Sequence, residues 1–211
     1  MTAHTLAVIG ASRGTGALTA HLAGSAGATV RAVSRSPGAR GAGLTAVLGD
    51  ATDPDTLSRA IAGCDTVIIM VGTPGRDRSG IRTRVTRTVI DTMHREGVRR
   101  LLVQSSLGLG DSAHRLDPIT RHLVFPLALG PTMADHTAQE QHVADSGLEW
   151  TITRPGYLND RPATGTVIAL PGSSRAPLRP RISRADLAAW TLAAIDDPDT
   201  VHRRLTLGSP R

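Results

Sequence analysis

The chain of 211 residues contains no lysine, so all 24 side chains of its Lys and Arg class are arginines. Chemistry that needs a lysine amine, as a Schiff base or as the cation beside a catalytic tyrosine, is thereby excluded. Aromatic residues are almost as scarce: two tryptophans, one phenylalanine and a single tyrosine, Tyr157. A groove that stacks bases needs more rings than this. The net charge of +6, carried by scattered arginines, therefore points to phosphate groups at particular sites and not to nucleic acid. The lone cysteine, Cys64, excludes an intramolecular disulfide and suits a reducing cytoplasm; it reads as a small buried residue at a helix end. His94, His114, His122, His142 and His202 have no companion at metal-ligand spacing, so no metal is expected. Apolar runs such as "TVIIMVG" fall far short of the ~20 residues of a membrane span. The N-terminus has no basic segment ahead of its short apolar run, which makes that run a strand and not a signal peptide.

What is present is a regular alternation. β-rich runs "TLAVIG", "ATVRAVS", "LTAVLGD", "DTVIIMVG", "VRRLLVQSS" and "LEWTITRP" are separated by helical patterns. In the first helix Leu18 and Leu22 fall on one face; in the second Leu57 and Ile61 do so, and in the third Ile81, Val85, Val89 and Met93. Strands alternating with helices predict an α/β fold with a doubly wound, Rossmann-like parallel sheet. After the sixth strand the pattern changes to loops around a short strand "TVIAL", then a capped helix and a last strand "HRRLTLG". The expectation is one domain over residues 1–211 with a small C-terminal substrate-side extension, residues 156–182 forming a lid.

The first strand runs into "AVIGASRGTG". In an open parallel sheet ligands sit at the carboxyl ends of the strands, beside this first turn. Glycines there permit close backbone approach, and the following helix presents N–H groups and a partial positive charge to a pyrophosphate. Gly10 ends the strand, Ser12 and Thr15 offer hydroxyls, Arg13 and Gly14 form the turn, and Gly16 lets the helix pack closely. Ser34 and Arg35 follow the second strand with no acid there, which favours a ribose 2′-phosphate over a 2′-hydroxyl and hence NADP(H) over NAD(H). Asp50, with Ala51 after it, closes the third strand and is placed to accept from an adenine amino group.

These motifs, together with "VSRS", "GDATDPDTLSRAIAGCD", "VIIMVGT", "ADHTAQEQHVADSGLEWTITRPG" and "RISRADLA", resemble the atypical short-chain dehydrogenases/reductases, in particular their NmrA-like NAD(P)H-binding members of the flavin reductase/biliverdin IXβ reductase type. The resemblance covers nearly the whole chain. It implies that Gly72 and Thr73 pass the middle of the cofactor, that Ser105 and Ser106 lie beside the nicotinamide, and that Pro155 and Gly156 cover its face. It also implies reduction of a flat acceptor such as a flavin, a quinone or a tetrapyrrole. The chain departs from the pattern twice. Arg13 stands where relatives often have glycine, and Thr132 and His136 occupy the positions of the superfamily's Tyr-x-x-x-Lys pair.

The candidate proton donors are therefore Ser106, His136 and Tyr157. His136 is either a relay in a suitable pKa range or a ribose-binding or surface histidine. Ser106 is either a hydrogen bond to carboxamide or substrate, or the polar end of a strand. Tyr157 either closes on a planar substrate or caps the core, and Arg154 holds either a substrate anion or a structural salt bridge. Asp135 and Glu140 read as solvated helix residues. Three functions fit: an NADPH-dependent reductase with a small-molecule substrate, an NADP(H)-sensing regulator, and a non-redox cyclase or isomerase. The chain is expected to act as a monomer or homodimer.

Overall fold

A computed structural model describes residues 4–73, 77–120 and 129–210; His122 lies outside them. Its elements are β1 (Thr5–Ile9), α1 (Gly14–Ser25), β2 (Thr29–Ser34), β3 (Leu44–Leu48), α2 (Pro54–Ile61), β4 (Thr66–Ile69), α3 (Ile81–Glu96), β5 (Arg100–Gln104), α4 (Gly130–Ala144), β6 (Glu149–Pro155), β7 (Tyr157–Asn159), β8 (Ile168–Pro171), β9 (Arg181–Ser183), α5 (Arg184–Ala193) and β10 (Arg203–Gly208). Eight strands form one sheet in the order β3-β2-β1-β4-β5-β6-β10-β8. All neighbours pair in parallel except β8, which runs antiparallel to β10.

The chain crosses from β3 back past β1 to β4, which opens a crevice at the carboxyl ends of β1 and β4. Successive side chains of a strand face opposite ways. Thus Ala7 and Ile9 enter the core under α2 and α3 with Leu57, Ile61, Val85, Val89 and Met93. Leu6 and Val8 enter the core on the other face, with Ala20 and Ala23 of α1. The expected apolar faces of α2 and α3 are the buried ones. Among the described residues no helix is long and apolar enough to cross a membrane.

Two expectations are corrected. Leu18 and Leu22 are 37% and 40% exposed, and α1 buries Thr15, Gly16, Thr19, Ala20, Ala23 and Gly24 instead. The cause is proximity: a Cβ on Gly16 would stand 2.3 Å from the Gly10 carbonyl oxygen, and one on Gly24 would stand 2.3 Å from that of Ala42. Leucines have no room on that face. The stretch after β6 is also more ordered than a loop. β7 pairs in parallel with β9, and Leu158, Val167 and Ala169 pack on Ile182, Leu187, Leu205 and Leu207. Residues 156–182 thus carry β7, β8 and most of β9, and a small core holds them against the end of the sheet.

Candidate functional site

At the crevice lies an open cleft of about 1010 Å³. Its floor is the glycine turn. Gly10 adopts φ +94°, and a Cβ there would lie 2.6 Å from the Met70 carbonyl oxygen, so only glycine lets the turn pass this close to β4. The N–H groups of Gly10 and Ala11 both donate to the Val33 carbonyl, which pins the turn to β2. Arg13 is the N-cap of α1 without a side-chain cap bond, and no acid occupies the first turn of the helix. With Gly14 at φ +59°, the start of α1 is left open to an anion.

Of the residues singled out in the sequence, Gly10, Ser12, Arg13, Gly14, Thr15, Ser34, Arg35, Asp50, Ala51, Gly72 and Thr73 all line this cleft. Gly16 lies beneath it, against Gly10. Asp50 accepts from the Thr52 N–H and hydroxyl, each at 2.8 Å. Those bonds, with Arg35 and Arg84 nearby, hold its carboxyl below the usual carboxylate range. The sequence reading missed Arg84, Gln104, Asp160 and Arg184, which line the same cleft from α3, β5, the end of β7 and α5. Arg84 had a signal, since α3 sets its apolar face one way and Arg84 the other; Asp160 and Arg184 had none before β7 and β9 were seen to pair. Two buried polar atoms on the cleft wall, Thr73 Oγ1 and Gln104 Oε1, have no hydrogen-bond partner among the described residues. Unpaired buried polar atoms are costly, so their presence in a cleft fits a polar ligand that satisfies them.

Ser105, Ser106, His136, Pro155, Gly156 and Tyr157 stand outside this lining. Ser105 is buried, and its hydroxyl donates to Glu140 Oε1 at 2.7 Å. Ser106 donates to the Leu107 carbonyl at 3.2 Å. The Pro155 carbonyl accepts from the Leu107 N–H, the Gly156 N–H donates to Leu207, and a Cβ on Gly156 would collide with the Pro180 carbonyl at 2.3 Å. Tyr157 is half exposed, with its hydroxyl 3.5 Å from Thr120 Oγ1.

Glu140 and Asp135 are not solvated, as expected from the sequence, but buried. Glu140 Oε1 accepts from Arg154 Nε at 2.9 Å and Oε2 from the Arg154 guanidinium at 2.6 Å. Arg154 reaches Asp111 at 2.5 Å, and Arg204 stands 3.4 Å from Glu140. Burial alone would lower the Arg154 pKa, but Glu140 and Asp111 outweigh it and raise it. Arg154 thus makes a structural salt bridge. Asp135 accepts from the N–H groups of Arg82 and Thr83 and so caps α3, whose own N-cap is the glycine Gly80. His136 departs from the relay reading: burial first, and then the Arg82 charge, push its pKa down to about 4, so it is neutral near pH 7. Sequence spacing could not show any of this, because the partners come from α3, β6 and β10.

A family model described as NAD(P)H-binding matches residues 10–198. Among curated proteins the chain is 28% identical over 190 residues to an uncharacterized sugar epimerase, YhfK, of Bacillus subtilis, covering 85% of this chain and 80% of that protein. Among solved structures it is similar to ChuY of Escherichia coli O157:H7, named an anaerobillin reductase, with 26% identity, TM-score 0.76 and coverage of 98% and 97% of the two chains. It also shares the fold of a short-chain dehydrogenase/reductase of Veillonella parvula in complex with NADP, at 17% identity, TM-score 0.79 and coverage of 98% and 95%. Since the match opens at Gly10, the first glycine of the turn, and runs past the last cleft residue, Arg184, the chain belongs to the NAD(P)H-binding family.

Proposed function

We propose that the protein is an NADPH-dependent reductase whose acceptor is a flat conjugated molecule, such as a flavin, a quinone or a tetrapyrrole. Its choice of NADPH rests on the adenosine end of the cleft. Arg13, Arg35 and Arg84 line it, and among the described residues none of the three is in a salt bridge. Guanidinium groups without a salt bridge at one end of the cleft favour the dinucleotide with the extra phosphate. The similarity to an anaerobillin reductase supports the reductase reading.

The handling of the proton supports this acceptor class. Of the candidate donors, Ser106 gives its proton to the Leu107 carbonyl, His136 is neutral and buried, and the Tyr157 hydroxyl lies against Thr120; the neighbouring Ser105 gives its proton to Glu140. A ketone would need a positioned acid, a contribution of about 10²–10⁴-fold. A conjugated acceptor spreads the arriving charge and takes its proton from water. A dihydronicotinamide, when bound, would supply the hydride; the chain's share is to hold donor and acceptor in contact, and orientation can lower the barrier by ~7–11 kcal/mol. In this reading Gly72, Thr73 and Gln104 hold the middle of the cofactor, Asp50 takes the adenine, and Ser106 and residues 156–182 border the acceptor.

The test follows NADPH absorbance with a panel of flavins, quinones, tetrapyrroles and simple ketones. Turnover with conjugated acceptors, at least a hundredfold above any ketone, is expected. Faster turnover of a ketone overturns the acceptor class. Tight binding of NADPH without turnover across the panel favours a sensor or a non-redox enzyme.

A further inference from the structure

Arg184 opens α5, and Asp160 follows the last residue of β7. Because Asn159 stands opposite Ser183 in the parallel β7–β9 pair, the two emerge side by side, and the Arg184 guanidinium donates to Asp160 Oδ1 at 2.7 Å. Both line the cleft. Asp160 is 85% exposed and Arg184 only 29%, so the acid faces solvent while the cation is mostly covered. On its other side Arg184 lies over the glycine turn: a Cβ on Gly14 would stand 3.7 Å from its Nε. Beneath it the start of α1 offers N–H groups with no capping side chain and no acid in the first turn.

We propose that Arg184 is a pyrophosphate clamp, reaching from the C-terminal part of the chain across the glycine turn, and that Asp160 is the counter-ion it leaves when the dinucleotide binds. This rests on the NAD(P)H reading above and adds a residue and a counter-charge to it. The exchange is favourable on physical grounds. An ion pair whose carboxylate is this exposed is weak because water screens it. A pyrophosphate seated on a helix N-terminus offers several charged oxygens in a shielded place, where a guanidinium binds in two-pronged fashion. Arg35 and Arg84 lie at the adenosine end with Asp50, whereas Arg184 lies at Gly14. The clamp therefore acts on the part that NADPH and NADH share.

Calorimetry of the wild type, Arg184→Ala and Asp160→Asn with NADPH, NADH, ADP-ribose and adenosine 2′-monophosphate tests this. Arg184→Ala is expected to weaken the first three at least tenfold and by similar factors, and to leave adenosine 2′-monophosphate within twofold, which also shows that the fold is intact. Asp160→Asn is expected to tighten the three pyrophosphate ligands two- to fivefold. Unchanged affinities in Arg184→Ala overturn the clamp, as does a loss confined to NADPH or a loss that includes adenosine 2′-monophosphate. Weaker binding in Asp160→Asn overturns the counter-ion role. A wild type that binds none of the four ligands removes the NAD(P)H reading itself, an outcome distinct from the others.

Discussion

Two regions along the carboxyl edge of the parallel sheet treat arginine in opposite ways, and α3 contributes to both through Arg84 and Arg82. Around the glycine turn Arg13 and Arg35 are exposed on a cleft and, with Arg84, lack salt-bridge partners among the described residues. Behind α4, Arg82 and Arg154 are buried, each against a buried carboxylate, Asp135 and Glu140. An unmatched cation at the surface is free to take an anionic ligand. A matched one in the interior holds helix and sheet together, and has nothing left to offer. Function is therefore to be sought where an arginine is unmatched or, like Arg184, is held only by an exposed acid.

Removing a carboxylate from the balanced region gives the largest effect. Glu140→Ala leaves Arg154 buried with only the half-exposed Asp111 beside it, and a broken buried pair costs about 3–5 kcal/mol. Denaturant unfolding measures this. A loss under about 1 kcal/mol would mean that the network is not structural.

His136 comes next. Its folded pKa of about 4 lies below the ordinary 6.5, so the unfolded chain takes up a proton there at a pH where the folded chain does not. The stability this contributes is complete above pH 6.5 and is lost as pH falls from 6.5 to about 4. The loss amounts to about 3 kcal/mol. Unfolding at pH 7 and 4.5 should therefore show a smaller acid loss in His136→Asn than in the wild type; equal losses would show an imidazole in contact with water.

In the unbalanced region the effect should move from stability to binding. Arg35→Ala is expected to leave unfolding within about 0.5 kcal/mol of the wild type and to cost NADPH about 1.5–3 kcal/mol. NADH should be nearly unaffected. Equal losses for both cofactors in calorimetry would erase the assignment of Arg35 to the 2′-phosphate. Tyr157→Phe is expected to do least, lowering single-turnover hydride transfer by less than tenfold, below about 1.4 kcal/mol of barrier. A hundredfold loss at unchanged NADPH affinity would make this tyrosine the proton donor.

The sequence by itself determined the strand and helix alternation, the place of the glycine turn, and the residues at the carboxyl ends of β1, β2 and β3. These are local matters: Gly10 precedes α1 along the chain, and Arg35 follows β2, so chain order alone sets them beside one cleft. It also fixed the absence of a Tyr-Lys pair, since no fold can supply a lysine the chain lacks. Tertiary structure decided what depends on residues far apart. Glu140 and Asp135 look like solvated helix positions until Arg154 of β6 and the N-terminus of α3 arrive to match them. Leu18 and Leu22 look like a buried face until close packing at Gly16 and Gly24 turns α1 the other way. Arg184 and Asp160 meet only because β7 and β9 pair. A charge or an apolar side chain carries its chemistry in the sequence, but its free energy depends on whether water or a partner surrounds it, and only the packed chain sets that.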